Sequence, residues 1–229
     1  MLDILFQDNH IVIINKRSGD ITQGDKTGDS PIGETVKNYL KKKYNKPGNV
    51  FLGIVHRIDR PVSGVLVFAR TSKSLERLSK MFREKTIKKT YWAIVENPPK
   101  QQKGTLSDYI AKNQEKNKSY VVDEKHKLGK LASLTYHVLS KSDNYTLLEV
   151  DLHTGRHHQI RVQLANLGCV IKGDLKYGAK RSNGDGSISL LARRIIFQHP
   201  VSQETVDVEA GPPKDDALWG FFLKQLESE

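Results

Sequence analysis

The sequence predicts an α+β fold with a largely antiparallel sheet. Strand-like segments outnumber helical ones, two long late segments alternate apolar and polar residues with the two-residue period of half-buried strands, and helical periodicity is confined to a few stretches. His10 to Asn15 (HIVIIN) is a short β-branched run and reads as a strand, with KRSGD supplying the turn after it. Ser30-Pro31 marks a helix start, because proline is tolerated at the first helical position. Val36, Tyr39 and Leu40 then recur at helical spacing, and the basic KKKYNK suits the negative end of the helix dipole.

Gly64 to Ala69 is a continuous apolar run, as expected of a buried strand. Thr71 or Ser72 can cap the helix that follows, with Leu75, Leu78 and Phe82 on one face. KKTYWAIVE is the next strand: Tyr91, Ala93 and Val95 share one face, Trp92 and Ile94 the other. Lys112 to Lys130 is polar and lysine-rich, which predicts a long hairpin loop or arm. Leu131–Leu139 and Tyr145–His153 are the two alternating strands, and Ile160–Leu167 reads as a helix that Gly168 can terminate. RSNGDGSIS is expected to be a flexible loop before the strand LLARRIIF. The terminal DDALWGFFLKQLES, with Asp at its start, predicts an amphipathic helix docking through Leu218, Phe221, Phe222 and Leu226.

The chain has 229 residues, enough for one buried core or for two small subdomains sharing a sheet, and we read residues 1–229 as a single functional unit. Its 37 lysines and arginines exceed its 26 acids, for a net charge of +11, and that excess favours polyanionic partners, nucleic acid first. A lysine-rich surface that only keeps the protein in solution is the alternative. The one cysteine, Cys169, has no internal disulfide partner, and no Cys or His spacing matches a zinc site. No apolar run approaches the roughly 20 residues a membrane helix needs, and the N-terminus lacks the basic region of a signal peptide. A cytoplasmic monomer without metal or membrane association is the expectation.

The stretch GIVHRIDRPVSGVLVFAR, Gly53 to Arg70, carries the densest chemistry. One acid, Asp59, stands among His56, Arg57 and Arg60 just before the apolar strand, where charge pairing can keep a carboxylate ionised in a cleft. Pro61 and Gly64 place it in a loop, the usual seat of catalytic groups on a rigid sheet. A turn aspartate bonded to nearby backbone amides is the structural alternative. No second acid accompanies it, so the paired-carboxylate chemistry of a glycoside hydrolase or a metal-dependent nuclease is poorly supported.

That stretch resembles the second signature motif of the RluA family of pseudouridine synthases, which reads roughly HRLDxxTSGxLxxA. His56, Arg57, Asp59, Ser63, Gly64, Leu66 and Ala69 match, with Ile58 for the leucine and Val62 for the threonine. KKTYWAIVE is similar to the family's KxYxAxV segment, and LHTGRHHQIRVQL, Leu152 to Leu164, to its TGRxHQIRVH motif. In that segment Gly155 allows the turn from the preceding strand, and the donors that follow lie near a helix N-terminus, a geometry suited to phosphate or carboxylate. The resemblance runs from about Leu5 to about Val208. It departs from the family pattern at Arg17, which replaces the proline of an NKPxG-type first motif, and at Gln163 and Leu191, where histidines are frequent; Ala192 and FQHP still fit.

The resemblance implies a pseudouridine-synthase-type catalytic domain that isomerises uridine in structured rRNA or tRNA, with neither cofactor nor metal. Asp59 would be the catalytic carboxylate, Tyr91 the ring that stacks on the flipped uracil, and Arg161 the salt-bridge partner of Asp59. Arg57 would enter the space the flipped nucleotide vacates, Arg156 would contact RNA, and Ile160 would wall the uracil pocket; Arg60, beside the acid, reads equally as a phosphate contact or a solvated surface charge. Many relatives carry an extra N-terminal RNA-binding module, whereas this sequence starts in the catalytic region, so recognition is expected to rest on the catalytic domain or on a partner. An RNA-binding protein of the same fold without catalysis is the competing class. It would need cations and stacking rings but not a carboxylate among phosphates.

Overall fold

A computed structural model describes residues 2–24 and 28–228. In chain order its elements are β1 (Ile4–Gln7), β2 (Ile11–Lys16), α1 (Ile32–Lys43), β3 (Gly53–Ile54), β4 (Ser63–Ala69), α2 (Ser72–Glu84), β5 (Lys88–Val95) and β6 (Lys103–Asn113). There follow β7 (Lys118–Val122), β8 (Lys130–Lys141), β9 (Thr146–Leu152), α3 (Gln159–Asn166), a 3-10 turn at Leu175–Tyr177, β10 (Leu190–Gln198), β11 (Thr205–Glu209) and α4 (Ala217–Ser228). The architecture is the α+β type that the sequence predicts. The chain divides into two compact units, residues 1–87 with 192–212 and residues 88–191 with 213–229.

In the first unit β2 runs antiparallel to β4, with Ile11 opposite Ala69 and Lys16 opposite Gly64. β1 extends the sheet beside β2, β10 lies on the far side of β4, and β11 pairs with β10. β4 is buried along its whole length, as its unbroken apolar run demands. α1 covers one face of the sheet: its Val36 and Leu40 join Val12, Ile14, Leu66 and Phe68 in one fully buried cluster. Pro31 sits at the α1 N-cap, Glu34 in its first turn and Lys41, Lys42 and Lys43 in its last, the charge order the helix dipole favours. Thr71 caps α2, its Oγ1 accepting from the Ser74 amide at 3.2 Å.

The second unit is a five-stranded antiparallel sheet in the order β5-β9-β8-β6-β7. The polar stretch read as a loop or arm contains the end of β6 and all of β7, a hairpin in which Tyr109 pairs with Val122 and Asn113 with Lys118. α3 packs on this sheet through a cluster of Ile110, Ala132, Val162 and Tyr177. α4 is helical as expected, with Asp216 Oδ1 accepting from the Leu218 and Trp219 amides. Its packed face differs from the expected one: Trp219 and Phe222 are buried, whereas Phe221 is 41% exposed. Among the described residues no helix is long and apolar enough to cross a membrane.

Candidate active site

The first unit carries Arg57, Asp59 and Arg60 on the loop between β3 and β4. That loop is pinned on both sides of the aspartate. Thr22 Oγ1 donates to the Ile58 carbonyl at 3.3 Å, the Gly19 amide donates to the Arg60 carbonyl at 2.9 Å, and the Val62 amide closes a turn onto the Asp59 carbonyl at 3.1 Å. Ile58 and Val62 point their side chains into the core, which leaves Asp59 half-buried between two buried anchors.

His56 completes the support. Its Nε2 accepts the Val67 amide at 3.0 Å, occupying a strand-edge donor just beyond the two-residue β3, and its ring stacks on Phe82 of α2 at 4.7 Å. An accepting Nε2 is unprotonated, so His56 here is a structural group and not a cation beside Asp59. Arg60 forms an ion pair with Asp29 at 2.6 Å on the surface, and the exposed Arg57 reaches Gln23 Oε1 at 3.5 Å.

One cation within the field of Asp59 was not singled out from the sequence. Lys16, in the NKRSG segment, is 1% exposed, and its Nζ donates to the carbonyls of Arg17, Asp20 and Arg60 at 2.8, 2.8 and 3.3 Å. Burial pulls its pKa down to about 8, against the fields of Asp20 and Asp59, which raise it. One buried ammonium thus stitches the β2 turn to the Asp59 loop. Its signal in the sequence was a lysine ending a strand that opens with four apolar residues.

The second unit carries Tyr91, Arg156, Ile160 and Arg161. Tyr91 lies mid-strand in β5, half-buried, opposite Val150. Thr154 and Gln159 fasten the turn into α3: Thr154 Oγ1 donates to Gln159 Oε1 at 2.7 Å, the Arg156 amide donates to the same oxygen at 3.0 Å, and Gln159 Nε2 reaches the Ser133 carbonyl of β8 at 3.1 Å. At the start of α3 the side chains pack inward, with Gln159 to Leu164 all buried. Gln163, standing where family members often have histidine, donates to Asp108 at 2.6 Å and so ties α3 to β6. Arg156 is exposed and its Nε donates to the Leu131 carbonyl at 3.1 Å.

Arg161 is 5% exposed and grips Asp174 with two parallel bonds, Nε to Oδ2 at 2.7 Å and Nη2 to Oδ1 at 2.8 Å. Its guanidinium also lies over the Tyr177 ring, 5.2 Å from the centroid. Such a fork fixes the plane of the guanidinium. Asp174, in the segment IKGDLKYG, is the second group that sequence reasoning missed; its only sequence cue was an acid flanked by glycine and apolar residues. Beside it His158 takes a left-handed backbone (φ 53°), and burial, reinforced by Arg161, His157, Lys176 and Lys112, lowers its pKa to about 2. Among the described residues no group of three or more His, Cys, Asp or Glu side chains is placed to hold a metal ion.

A pinned carboxylate loop in one unit, and in the other a strand tyrosine and a buried, oriented arginine, are all on RNA-modification motifs. The family described as RNA pseudouridylate synthase matches residues 10–166, which span all three. The chain belongs to the RluA family of RNA pseudouridine synthases. This synthase is 34% identical over 220 residues to the uncharacterized RNA pseudouridine synthase YhcT of Bacillus subtilis (strain 168), covering 93% of this chain and 70% of that one. It is 35% identical over 216 residues to the ribosomal large subunit pseudouridine synthase C of Buchnera aphidicola, covering 90% and 66%. Among solved structures it resembles human RNA Pseudouridylate Synthase Domain Containing 4, with a TM-score of 0.80, 25% identity, and coverage of 98% of this chain and 93% of that one. The synthase is thus an isomerase acting on RNA, with a pseudouridine synthase fold.

Proposed function

We propose that this synthase isomerises uridines in structured ribosomal or transfer RNA, with Asp59 as the catalytic carboxylate and residues 1–229 acting as one catalytic domain. The observation that carries this assignment is the Asp59 loop, whose carbonyls at Ile58, Asp59 and Arg60 are all bonded, so that the carboxylate is presented from a fixed backbone. The uridine is flipped out of its helix or loop at a cost of a few kcal/mol, which the basic surface and Arg57 offset. Asp59 then acts on the ribose, by attack at the anomeric carbon or by removing a proton from the second sugar carbon to give a glycal. Either route breaks the bond from the anomeric carbon to the ring nitrogen, and rejoining later frees Asp59 from its ester or returns the proton to the second sugar carbon. The uracil, held on Tyr91 and against Ile160, rotates and rejoins through its fifth carbon; that carbon loses its proton, the ring nitrogen gains one, and the atoms balance without cofactor or metal.

Arg161 is assigned to pair with Asp59 and keep it anionic and aimed. The Asp174 fork supports that role, because it holds the buried guanidinium in one plane. Arg60 and Arg156 are assigned to RNA contact. The enzyme is taken to act as a monomer in the cytoplasm. Relatives named for the ribosomal large subunit make ribosomal RNA the first substrate to test.

The test is pseudouridine mapping of total RNA from cells with and without this protein, complemented by wild type or by Asp59→Asn. Sites that vanish on deletion and return only with wild type are expected, with Asp59→Asn still binding RNA. Restoration of those sites by Asp59→Asn would refute the catalytic assignment.

A further inference from the structure

The second unit holds a cavity of ≈ 670 Å³ at the end of β5 and the start of β9, lined by Glu96, Lys141, Asp143, Lys172, Lys180 and Arg181 among others. None of these residues belongs to the site described above. Four cations face two acids, and one of the acids is engaged: the Glu96 carboxylate accepts the Lys180 backbone amide at 3.3 and 3.5 Å.

Part of the cavity wall is the start of the segment RSNGDGSIS, Arg181 to Asn183, a segment expected from its sequence to be flexible. It is instead organised around Asn183, whose Nδ2 donates to the hydroxyls of Ser187 and Ser189 at 3.2 Å each and whose Oδ1 accepts from Lys172 Nζ at 2.6 Å. A side chain at Gly173 would meet the Asn183 amide at 2.7 Å, so glycine lets the asparagine lie against the backbone next to Lys172. The backbone of Lys172 is itself fixed, its amide donating to the Ile94 carbonyl and its carbonyl accepting from the Ser189 amide, both at 2.9 Å. The result is a lysine held in place at a cavity wall by a bond that uses one of its three donors, leaving two for a ligand.

We propose that this cavity is a second anion site that takes a backbone phosphate of the substrate RNA, with Lys172 as its fixed cation and Arg181, Lys180 and Lys141 around it. The proposal rests on the RNA-modifying function and adds a contact outside the three signature motifs. Preorganisation is the physical reason to single out this cluster among the many lysines. A cation already held in place loses little side-chain freedom when it meets a phosphate, whereas a free surface lysine gives up much of the rotamer entropy of its chain. Phosphate contacts of this kind set register and affinity without reading sequence.

The test measures filter binding of an unmodified large-subunit ribosomal RNA transcript and of an unmodified transfer RNA transcript across a salt series. It compares the wild-type chain with Arg181→Gln, Lys172→Gln and Lys172→Arg. The neutralising variants are expected to weaken binding by about tenfold together and to reduce the slope of log K against log salt by about one each, while Lys172→Arg keeps the slope. Arg181 is exposed, so its variant reads the site without disturbing packing. Unchanged affinity and slope in Arg181→Gln and Lys172→Gln would overturn the proposal. So would stabilisation of the wild type alone by inorganic phosphate with RNA affinity equal in all variants, which would make this a free-anion site. Pseudouridine formation by the wild type, assayed on the same transcripts, separates the two readings: product with unchanged variant binding removes the phosphate site only, and weakened variant binding without product removes the catalytic reading only.

Discussion

His158 shows how a single residue ties the strand-turn-helix segment around α3 to solution pH. Tyr177 Oη accepts the Ser119 amide at 2.9 Å and lies 2.9 Å from His158 Nδ1, so the phenol proton is directed at an unprotonated ring nitrogen. Burial penalises a charged ring, and charging it would also place a cation beside Arg161, His157, Lys176 and Lys112, which is why the folded state holds His158 neutral down to about pH 2. In the unfolded chain the same ring titrates near 6.5. As pH falls below 6.5 the unfolded state therefore takes up a proton that the folded state refuses, and stability declines by up to about 1.4 kcal/mol per pH unit. That stability is fully present above the unfolded value and lost toward acid. His158→Asn tolerates the left-handed backbone and lacks the titrating group, so urea unfolding between pH 4 and about 7 is expected to show a shallower pH slope for the variant. Equal slopes would mean that the acid sensitivity has another source.

At the scale of elements, the start of β4 is where the fold most constrains the candidate nucleophile's loop. Gly64 has φ +115°, and a Cβ there would lie 2.3 Å from the Ala192 carbonyl oxygen and 2.6 Å from its amide nitrogen, so glycine is required both by the dihedral and by the approach of β4 to β10. Gly64→Ala is expected to cost about 3 kcal/mol or more and to lower the urea midpoint accordingly, because rigid backbone and not a flexible side chain must yield. An unchanged midpoint would show that the strands can part without penalty. This constraint was half legible in the sequence: the loop-breaking role of Gly64 was evident, but its contact with Ala192, 128 positions away, was not. The same boundary runs through the other elements. Buried, strongly patterned segments such as β2, β4, β8 and β9 announced themselves, whereas β7 hid in a lysine-rich stretch whose only apolar residues are Tyr120 to Val122 and Leu128. Its one fully buried side chain is Ser119, whose Oγ donates to the His157 carbonyl at 2.7 Å. In the site, the motif residues were legible through family resemblance, but Lys16 and Asp174 owe their roles to burial and pairing, which periodicity does not encode.

For the molecule as a whole, the chain passes between its two units three times, near residues 87, 191 and 212, so neither unit is a contiguous segment. The second unit thus depends on a C-terminal helix that reaches it only after the chain has built β10 and β11. Trp219 and Phe222 bring α4 to 3% and 0% exposure respectively, and Ser140 of β8 bonds Gln225. Burying two such side chains contributes about 3–6 kcal/mol, a large part of the roughly 5–15 kcal/mol that holds a typical domain folded. Truncation after Pro212 is therefore expected to leave the second unit largely unfolded, with loss of cooperative thermal unfolding by circular dichroism. Because truncation alone cannot say which face matters, two adjacent phenylalanines supply the sharper comparison. Phe222→Ala is expected to cost about 3–5 kcal/mol, as for a core aromatic, whereas Phe221→Ala, at a ring 41% exposed, should cost under about 1 kcal/mol. The sequence placed both rings on the docking side, and equal losses in the two variants would restore that reading and overturn the packing of α4 described above.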